Sequence, residues 1–206
     1  MTNKEIKPWT VLEEEDVSPS HWFPVTKQKV QLPNNNVYDY YLSELGDVVQ
    51  ILAVTKQNEV VLVRQYKHGL GQILLEIPGG MQQKDTSVIQ SALNELEEET
   101  GIKATADQLI SLGKIAVNPT KLKQETYGFI LFGAEFNSVQ QLEDTEDIQI
   151  VLLPAPEVLR LAMSGDIWVT DSLNWILKAA MLYPAVFGTV GDCKSPALKS
   201  RIVGTD

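Results

Sequence analysis

An α/β fold is the class this sequence predicts, and three observations carry the prediction. Two runs rich in β-branched residues, "VVQILAV" (48–54) and "EVVLVRQY" (59–66), stand either side of "TKQN". From about Ser87 to Thr100 the apolar period changes from two to that of a helix. Beyond that point strand-like and helix-like runs are interleaved as far as Tyr183. With 206 residues, 44% of them apolar, the chain is long enough to bury one substantial core, so a single globular unit is expected.

The elements follow in order. The first 20 residues mix charge, Ser and Pro around isolated apolar side chains and read as a flexible or partner-dependent arm. A hairpin is expected over about 22–43, where "FPVTKQKVQL" alternates, "PNNN" supplies turn formers and "VYDYYLSE" resumes strand-favouring residues. The runs at 48–54 and 59–66 come next, and after "KHGLGQ" a short run, "ILLEIP", leads to Gly79 and Gly80. In the helix, Val88, Ile89, Ala92, Leu93 and Leu96 share a face. Thr86 or Ser87 serves as N-cap, and Gly101 stands where a C-terminal glycine belongs. Strands are expected at "LISLGKIAV", "TYGFILFGAEF" and "IQIVLLP", and helices at "APEVLRLAMSG" and "SLNWILKAAMLY". The tail over 184–206 shows no period and reads as loosely held.

Charge narrows the function. Acidic residues outnumber basic ones 27 to 17, a net charge of -10, which argues against affinity for nucleic acid or anionic membranes. A protein this acidic needs a cation as go-between if it handles phosphates. The single cysteine, Cys193, cannot form an internal disulfide, and the sequence contains no apolar run long enough to span a bilayer. A soluble, cytoplasmic setting is expected.

The segment "NELEEETGI" (94–102) packs four glutamates into five positions. Glu95, Glu98 and Glu99 lie three and four residues apart, so their carboxylates share one strip of the helix, while Glu97 points elsewhere. Like charges at this spacing cost roughly 0.2 to 0.5 kcal/mol per pair. They also sit in the last turn, where the helix dipole opposes them by a further few tenths to about 1 kcal/mol each. A divalent cation removes that conflict, because hard ions take oxygen ligands and bridge carboxylates to phosphates. On the residues alone, a solvated acidic face remains open beside the cation site.

The wider segment, "GMQQKDTSVIQSALNELEEETGI", strongly resembles the Nudix hydrolase box, spanning 80–102. Gly80, Glu95, Leu96, Glu98, Glu99, Gly101 and Ile102 fall in register with that pattern. The likeness extends over a domain of roughly 21–183. "VRQYKHGLGQILLEIPGGM" and "LEDTEDIQIVLLP" look like flanks of the ADP-ribose and nucleotide-sugar pyrophosphatase branch. The resemblance implies the Nudix α/β/α sandwich with a mixed sheet. It also implies metal-dependent hydrolysis of a nucleoside diphosphate linked to another group, with Mg²⁺ or Mn²⁺ as cofactor and a homodimer as assembly.

Carried over by position, Glu95 and Glu99 are the main metal ligands, Glu98 a ligand or base, and the Gly79 carbonyl an uncharged ligand. The acidic loop offers Asp144 as the first candidate for activating water, with Glu143 and Glu146 beside it; a solvated turn is the alternative. Arg64, Gln65, Tyr66 and Glu76 occupy positions that contact substrate in the resembling proteins. Arg64 suits a bidentate clamp on phosphate, or else an ion pair with Glu76. Lys67 and His68, just beyond a strand, lie where an anion could approach. Trp168 and Trp175 read as anchors for the C-terminal helices, and Trp9 and Trp22 as uncommitted aromatics available to a nucleoside or a partner.

Two positions depart from the box together: Asn94 stands where the pattern has arginine and Thr86 where it has its first glutamate. Loss of an ion pair explains the coincidence. It also removes an orienting donor from the carboxylates, which raises their pKa values and weakens metal binding. The segment "NPTKLKQETYG" departs too, so substrate choice has room to drift. The sequence therefore supports two readings: a pyrophosphatase, and an impaired Nudix domain that binds a nucleotide or protein without turnover.

Overall fold

Cross-strand charge pairs mark the first sheet of the structure, a computed structural model describing residues 5–189 and Gly191. Strand β1 (Thr10–Asp16) lies antiparallel to β2 (Val25–Gln31), which pairs on its other edge with β3 (Val37–Ser43). The register sets Glu13 opposite Lys29 and Glu15 opposite Lys27. Lys29 reaches Glu13 at 3.2 Å, and Lys27 reaches Asp39 of β3 at 2.9 Å. Exposed pairs of this kind contribute about 0.2–1 kcal/mol each, so they fix register more than they add stability. The hairpin expected over 22–43 is present, its turn closed by Leu32 and Asn36 with Asn35 left-handed at φ 67°. The arm expected over 1–20 is different: within it Thr10–Asp16 is a strand, because Glu13, Glu14 and Glu15 face Lys29, Gln28 and Lys27 across the pairing. Burial gives no support there, since every residue of β1 is exposed, and that is why no apolar pattern announced it.

The single unit expected from length is corrected as well. Among the described residues, those up to Gly46 with Ala116–Glu125 form one unit, and Asp47–Ile115 with those from Thr126 onwards form another. In the first, β1–β3 pair only among themselves, and Ser43 exchanges backbone bonds with Lys121 and Lys123 at 2.8 and 2.9 Å.

The second unit holds a seven-stranded sheet built from β4 (Val48–Thr55), β5 (Glu59–Lys67), β6 (Gln72–Glu76), β7 (Gly79–Met81), β8 (Leu109–Ile115), β9 (Thr126–Ala134) and β10 (Ile148–Pro154). The order is β10-β5-β4-β9-β8, with β6 on β5 and β7 on β4. β4 and β9 run parallel and the other pairs antiparallel, so the sheet is mixed. Among the described residues four α-helices accompany it: α1 (Val88–Thr100), α2 (Ala155–Ser164), α3 (Thr170–Leu182) and the short α4 (Pro184–Phe187).

Strand alternation sorts the core into two layers. Val49, Ile51, Ala53 and Val61 meet Ala92 and Leu96 of α1, whereas Leu52, Val54, Val60 and Leu62 meet Val158, Trp175, Ile176 and Phe187 of the other helices. Helices therefore cover both faces, and the expected α/β/α sandwich is the observed fold. Within α1, Ala92, Leu93 and Leu96 are buried as expected, but Ile89 is 39% exposed and lies off the core face. Of the two tryptophans read as anchors, Trp175 is fully buried and Trp168 is not, at 45% exposed. Phe187 is also fully buried, so the first residues of the supposedly loose tail are anchored. The remainder of that expectation, at 190 and 192–206 with Cys193, lies outside the described residues, as do residues 1–4. Among the described residues no helix is long and apolar enough to cross a membrane.

Candidate active site

The helix α1 brings the acidic strip to its place with both ends defined. Ser87 caps the start by accepting from the Gln90 amide at 3.1 Å, and Gly101 ends the helix in the left-handed region at φ 72°. No basic residue occupies the last turn, so nothing within the helix offsets its glutamates. β7 faces them. Gly79 donates its amide to Glu99 Oε2 at 2.7 Å, and the Glu95 carboxyl lies against Gly80 so closely that a Cβ there has no room. Those two glycines are what allow a strand backbone to approach two carboxylates.

Burial and like charge raise these acids. Glu99 is 4% exposed, and its carboxyl is pushed up to about 8. Burial is the first cause, with Glu95 and Glu146 adding repulsion, while the Gly79 amide and Lys67 pull the other way. Glu95 is pushed up to about 7, first by burial and then by Glu98, Glu146 and Glu143. Glu143 and Glu146 of the acidic loop thus lie within electrostatic reach of the strip. Asp144, ranked first from the sequence, is exposed and contributes to neither shift. A carboxylate cluster of this charge, with an amide and a buried wall on one side, fits a hard divalent cation in donor type and charge. Among the described residues, however, no three acidic, His or Cys side chains already stand at metal-holding geometry.

β5 divides the expected substrate contacts between two faces. Val61 belongs to the α1 layer, so Val63, Gln65 and Lys67 continue that side, while Arg64 and Tyr66 follow Val60 and Leu62 to the other. Glu76, buried and opposite Val63, is held by Lys67 Nζ at 3.0 Å. Lys67 is the last residue of β5 rather than a position beyond it, and it takes the ion pair that the sequence offered to Arg64. Arg64 instead leans on Gln149 Oε1 at 3.4 Å, in a cleft with Tyr66, Ile73 and Asp147. His68 is exposed beside the Tyr66 hydroxyl at 3.4 Å. The structure therefore gathers Glu76, Lys67, Gly79, Gly80, Glu95 and Glu99 and sets Arg64 and Tyr66 apart from them.

The two departures from the box meet in one neutral network. Asn94 Nδ2 donates to Gln83 Oε1 at 2.6 Å, and Asn94 Oδ1 accepts from Gln90 Nε2 at 2.8 Å. The Gln83 backbone N–H in turn donates to Ser91 Oγ at 3.1 Å, and its backbone carbonyl accepts from Thr86 Oγ1 at 2.8 Å. Asn94 and Thr86 are thus joined through Gln83 and Ser91. Sequence reasoning missed this role of Gln83, and it also set Glu97 aside. Glu97 accepts from Ser138 Oγ at 2.7 Å and from Lys103 Nζ at 3.3 Å, and these bonds hold its carboxyl below the ordinary value. No sequence pattern links residue 97 to residue 138; their meeting is a product of the fold.

Comparison with known proteins agrees with this fold. The NUDIX domain family model matches residues 44–171, more than half of the chain, and the nucleoside diphosphate sugar hydrolase N-terminal domain matches 9–43. The chain is 28% identical over 145 residues to an ADP-ribose pyrophosphatase of Bacillus subtilis (strain 168), covering 68% of this chain and 76% of that protein. It is 28% identical over 132 residues to a methanol dehydrogenase activator of Bacillus methanolicus, covering 64% and 70%. A crystal structure of an ADP compounds hydrolase superposes with a TM-score of 0.78 at 20% identity, over 88% of this chain and 97% of that one, a likeness of fold.

Proposed function

Because this chain belongs to the Nudix family, we propose that it hydrolyses the pyrophosphate bond of a nucleoside diphosphate joined to a second group. ADP-ribose or a nucleotide sugar is the substrate class, as the names of the matched N-terminal domain and of the Bacillus subtilis relative suggest. The observation that carries this reading is Glu99, a nearly buried carboxyl raised to about 8 beside Glu95. An arrangement so costly in an isolated fold becomes favourable when a cation neutralises it. Nudix hydrolases generally use divalent metals, and Mg²⁺ or Mn²⁺ suits an all-oxygen set. Glu95, Glu98 and Glu99, with the Gly79 carbonyl, would hold the ion, which supplies charge neutralisation for the pyrophosphate.

The chain's own groups do the rest. In the acidic loop Glu146, with Glu143 beside it, takes the proton from the attacking water in this proposal, in place of Asp144. The water oxygen bonds to phosphorus as the bridging P–O bond breaks, and the leaving phosphate carries away the electron pair. Lys67 lies on the α1 side with Glu76 and provides a positive charge that acts on Glu99, whereas Arg64 and Tyr66, on the opposite face of β5, serve a more distant part of the substrate. A homodimer belongs to the same proposal, supported by Trp9, Trp22, Phe23, Tyr38 and Tyr41 of the first unit, which are 48–79% exposed. So does a cytoplasmic setting, in keeping with a chain of one cysteine.

The impaired-domain reading rests on Asn94 and Thr86. Their network is closed and neutral and replaces one set of hydrogen bonds by another, so it favours weakened rather than abolished turnover. The test is a panel of nucleoside diphosphate derivatives with Mg²⁺ and with Mn²⁺, comparing wild type with Glu99→Gln. Turnover that disappears in the variant supports the hydrolase. Tight ligand binding without turnover at any pH up to 9 supports the binding module and contradicts it.

A further inference from the structure

We propose that Glu97 and Gln140 are positioning residues that lash the acidic loop to the end of α1, and so set where Glu143 and Glu146 stand relative to Glu95 and Glu99. The inference rests on the hydrolase reading for its catalytic consequence, but the tether itself is a matter of geometry. The last carbonyls of a helix lack partners within it. In α1 the Gly101 amide satisfies the Glu97 carbonyl at 2.8 Å. Three of the carbonyls that follow are taken by one short segment: Gln141 N donates to Glu98 O at 2.8 Å, Gln140 Nε2 to Glu99 O at 2.7 Å, and Ser138 N to Gly101 O at 2.9 Å. The segment runs directly over the cap, since a Cβ on Gly101 would come within 2.8 Å of the Ser138 carbonyl.

Side chains tighten the same lashing. Ser138 Oγ and Lys103 Nζ both donate to Glu97 Oε1, and Asn137 exchanges two bonds with the Lys103 backbone, at 2.7 and 3.1 Å. Gln140 also reaches Ile148 O at 3.4 Å, at the start of β10, so one amide group bridges the two ends of the loop between them. Within that loop Glu146 Oε2 accepts from the Glu143 amide, and the Glu146 amide donates to Glu143 O, both at 3.0 Å. Residues 143–145 are exposed, so burial does little to hold the loop. Its placement depends on the tether. A displacement of about 1 Å at a reacting group costs on the order of 10²-fold in rate, so a partial loosening is enough to matter.

The experiment uses the full chain with Glu97→Ala, Glu97→Gln and Gln140→Ala. Amide exchange, read without substrate, is expected to rise at least about 10-fold over 138–147 in both alanine variants while α1 up to Leu96 keeps its protection. With substrate, kcat is expected to fall about 10-fold and KM to change less than about 2-fold. Glu97→Gln keeps an oxygen for Ser138 and is expected to recover most of both. Placed on a chain in which Glu143 and Glu146 are already glutamine, Glu97→Ala is expected to cost little of the residual rate, because the groups it positions are gone. Unchanged exchange over 138–147, or a full additive loss in that background, overturns the proposal. A wild-type chain with no turnover overturns the hydrolase reading instead, and the exchange measurement then decides the tether by itself.

Discussion

Gly80→Ala isolates the contact between β7 and the carboxylate strip of α1. A Cβ at Gly80 would stand 2.7 Å from Glu95 Cδ, where an ordinary carbon–carbon contact is about 3.5–4.0 Å. The Glu95 carboxyl must therefore withdraw by about 1 Å, which at a reacting centre costs on the order of 10²-fold in rate, or about 2.7 kcal/mol at the barrier. The fold itself has little to lose. The obstruction is the far end of a flexible side chain, and Gly80 is not among the glycines with positive φ, so alanine fits its backbone. The unfolding free energy is expected to change by less than about 1 kcal/mol. Steady-state kinetics on ADP-ribose, metal titration by calorimetry and urea unfolding of the same preparation separate the two effects. A variant with wild-type rate and metal affinity, or one whose loss of rate is matched by a comparable loss of stability, would refute the placement of Glu95 at the site.

Three further outcomes follow from the same geometry. Glu95 and Glu99 are raised to about 7 and 8 in the fold. Below the usual carboxylate pKa of about 4.3 both are protonated in either state, and the metal-free protein's stability from this source is fully present. It is lost progressively as pH rises from there through the folded values of about 7 and 8, at up to about 1.4 kcal/mol per pH unit for the nearly buried Glu99 and less for the more exposed Glu95. Urea midpoints in EDTA are expected to fall between pH 5.5 and 8.5, with added Mn²⁺ restoring most at the upper end; a flat profile contradicts this. Lys67→Met leaves the buried Glu76 without its 3.0 Å partner and is expected to destabilise by about 1–3 kcal/mol in denaturant unfolding, whereas Lys67→Arg is expected to cost under about half as much. Asn94→Arg combined with Thr86→Glu is expected to strengthen metal binding several-fold, and more than either change alone, because each single charge would meet the neutral Gln83 and Ser91 network without its counterpart. Equal metal affinity in wild type and the double variant would show that the missing pair has no bearing on the site.

The parts of the fold legible in the sequence were those with a strong period. β4 and β5 carry β-branched runs, and α1 has a serine cap, an apolar face and a terminal glycine, so each was found nearly to its ends. β1 was not legible because its seven residues are all exposed, and an exposed edge strand held by cross-strand charge leaves no apolar alternation. Three-residue β7 was too short to show a pattern, yet it is the element that brings Gly79 and Gly80 to the carboxylates. Of the candidate site, the clustering of Glu95, Glu98 and Glu99 on α1 was legible, because identical charged residues concentrate there. It was not legible where a role depends on which neighbour arrives from far along the chain. Glu76 paired with Lys67 rather than Arg64 because alternation along β5 turns Arg64 to the opposite face, a sorting that needs the strand register. Glu97 looked incidental for the same reason, since Ser138 lies 41 residues away in sequence.

Hydrolysis of ADP-ribose in H₂¹⁸O, read by mass spectrometry of the products, tests the central claim most directly. A metal-dependent attack of water on phosphorus places one ¹⁸O in the phosphate of a single product, at a rate that rises with Mg²⁺ or Mn²⁺ and is lost in Glu99→Gln. Substrate that binds wild type but returns unlabelled and uncleaved with either metal up to pH 9 would contradict it.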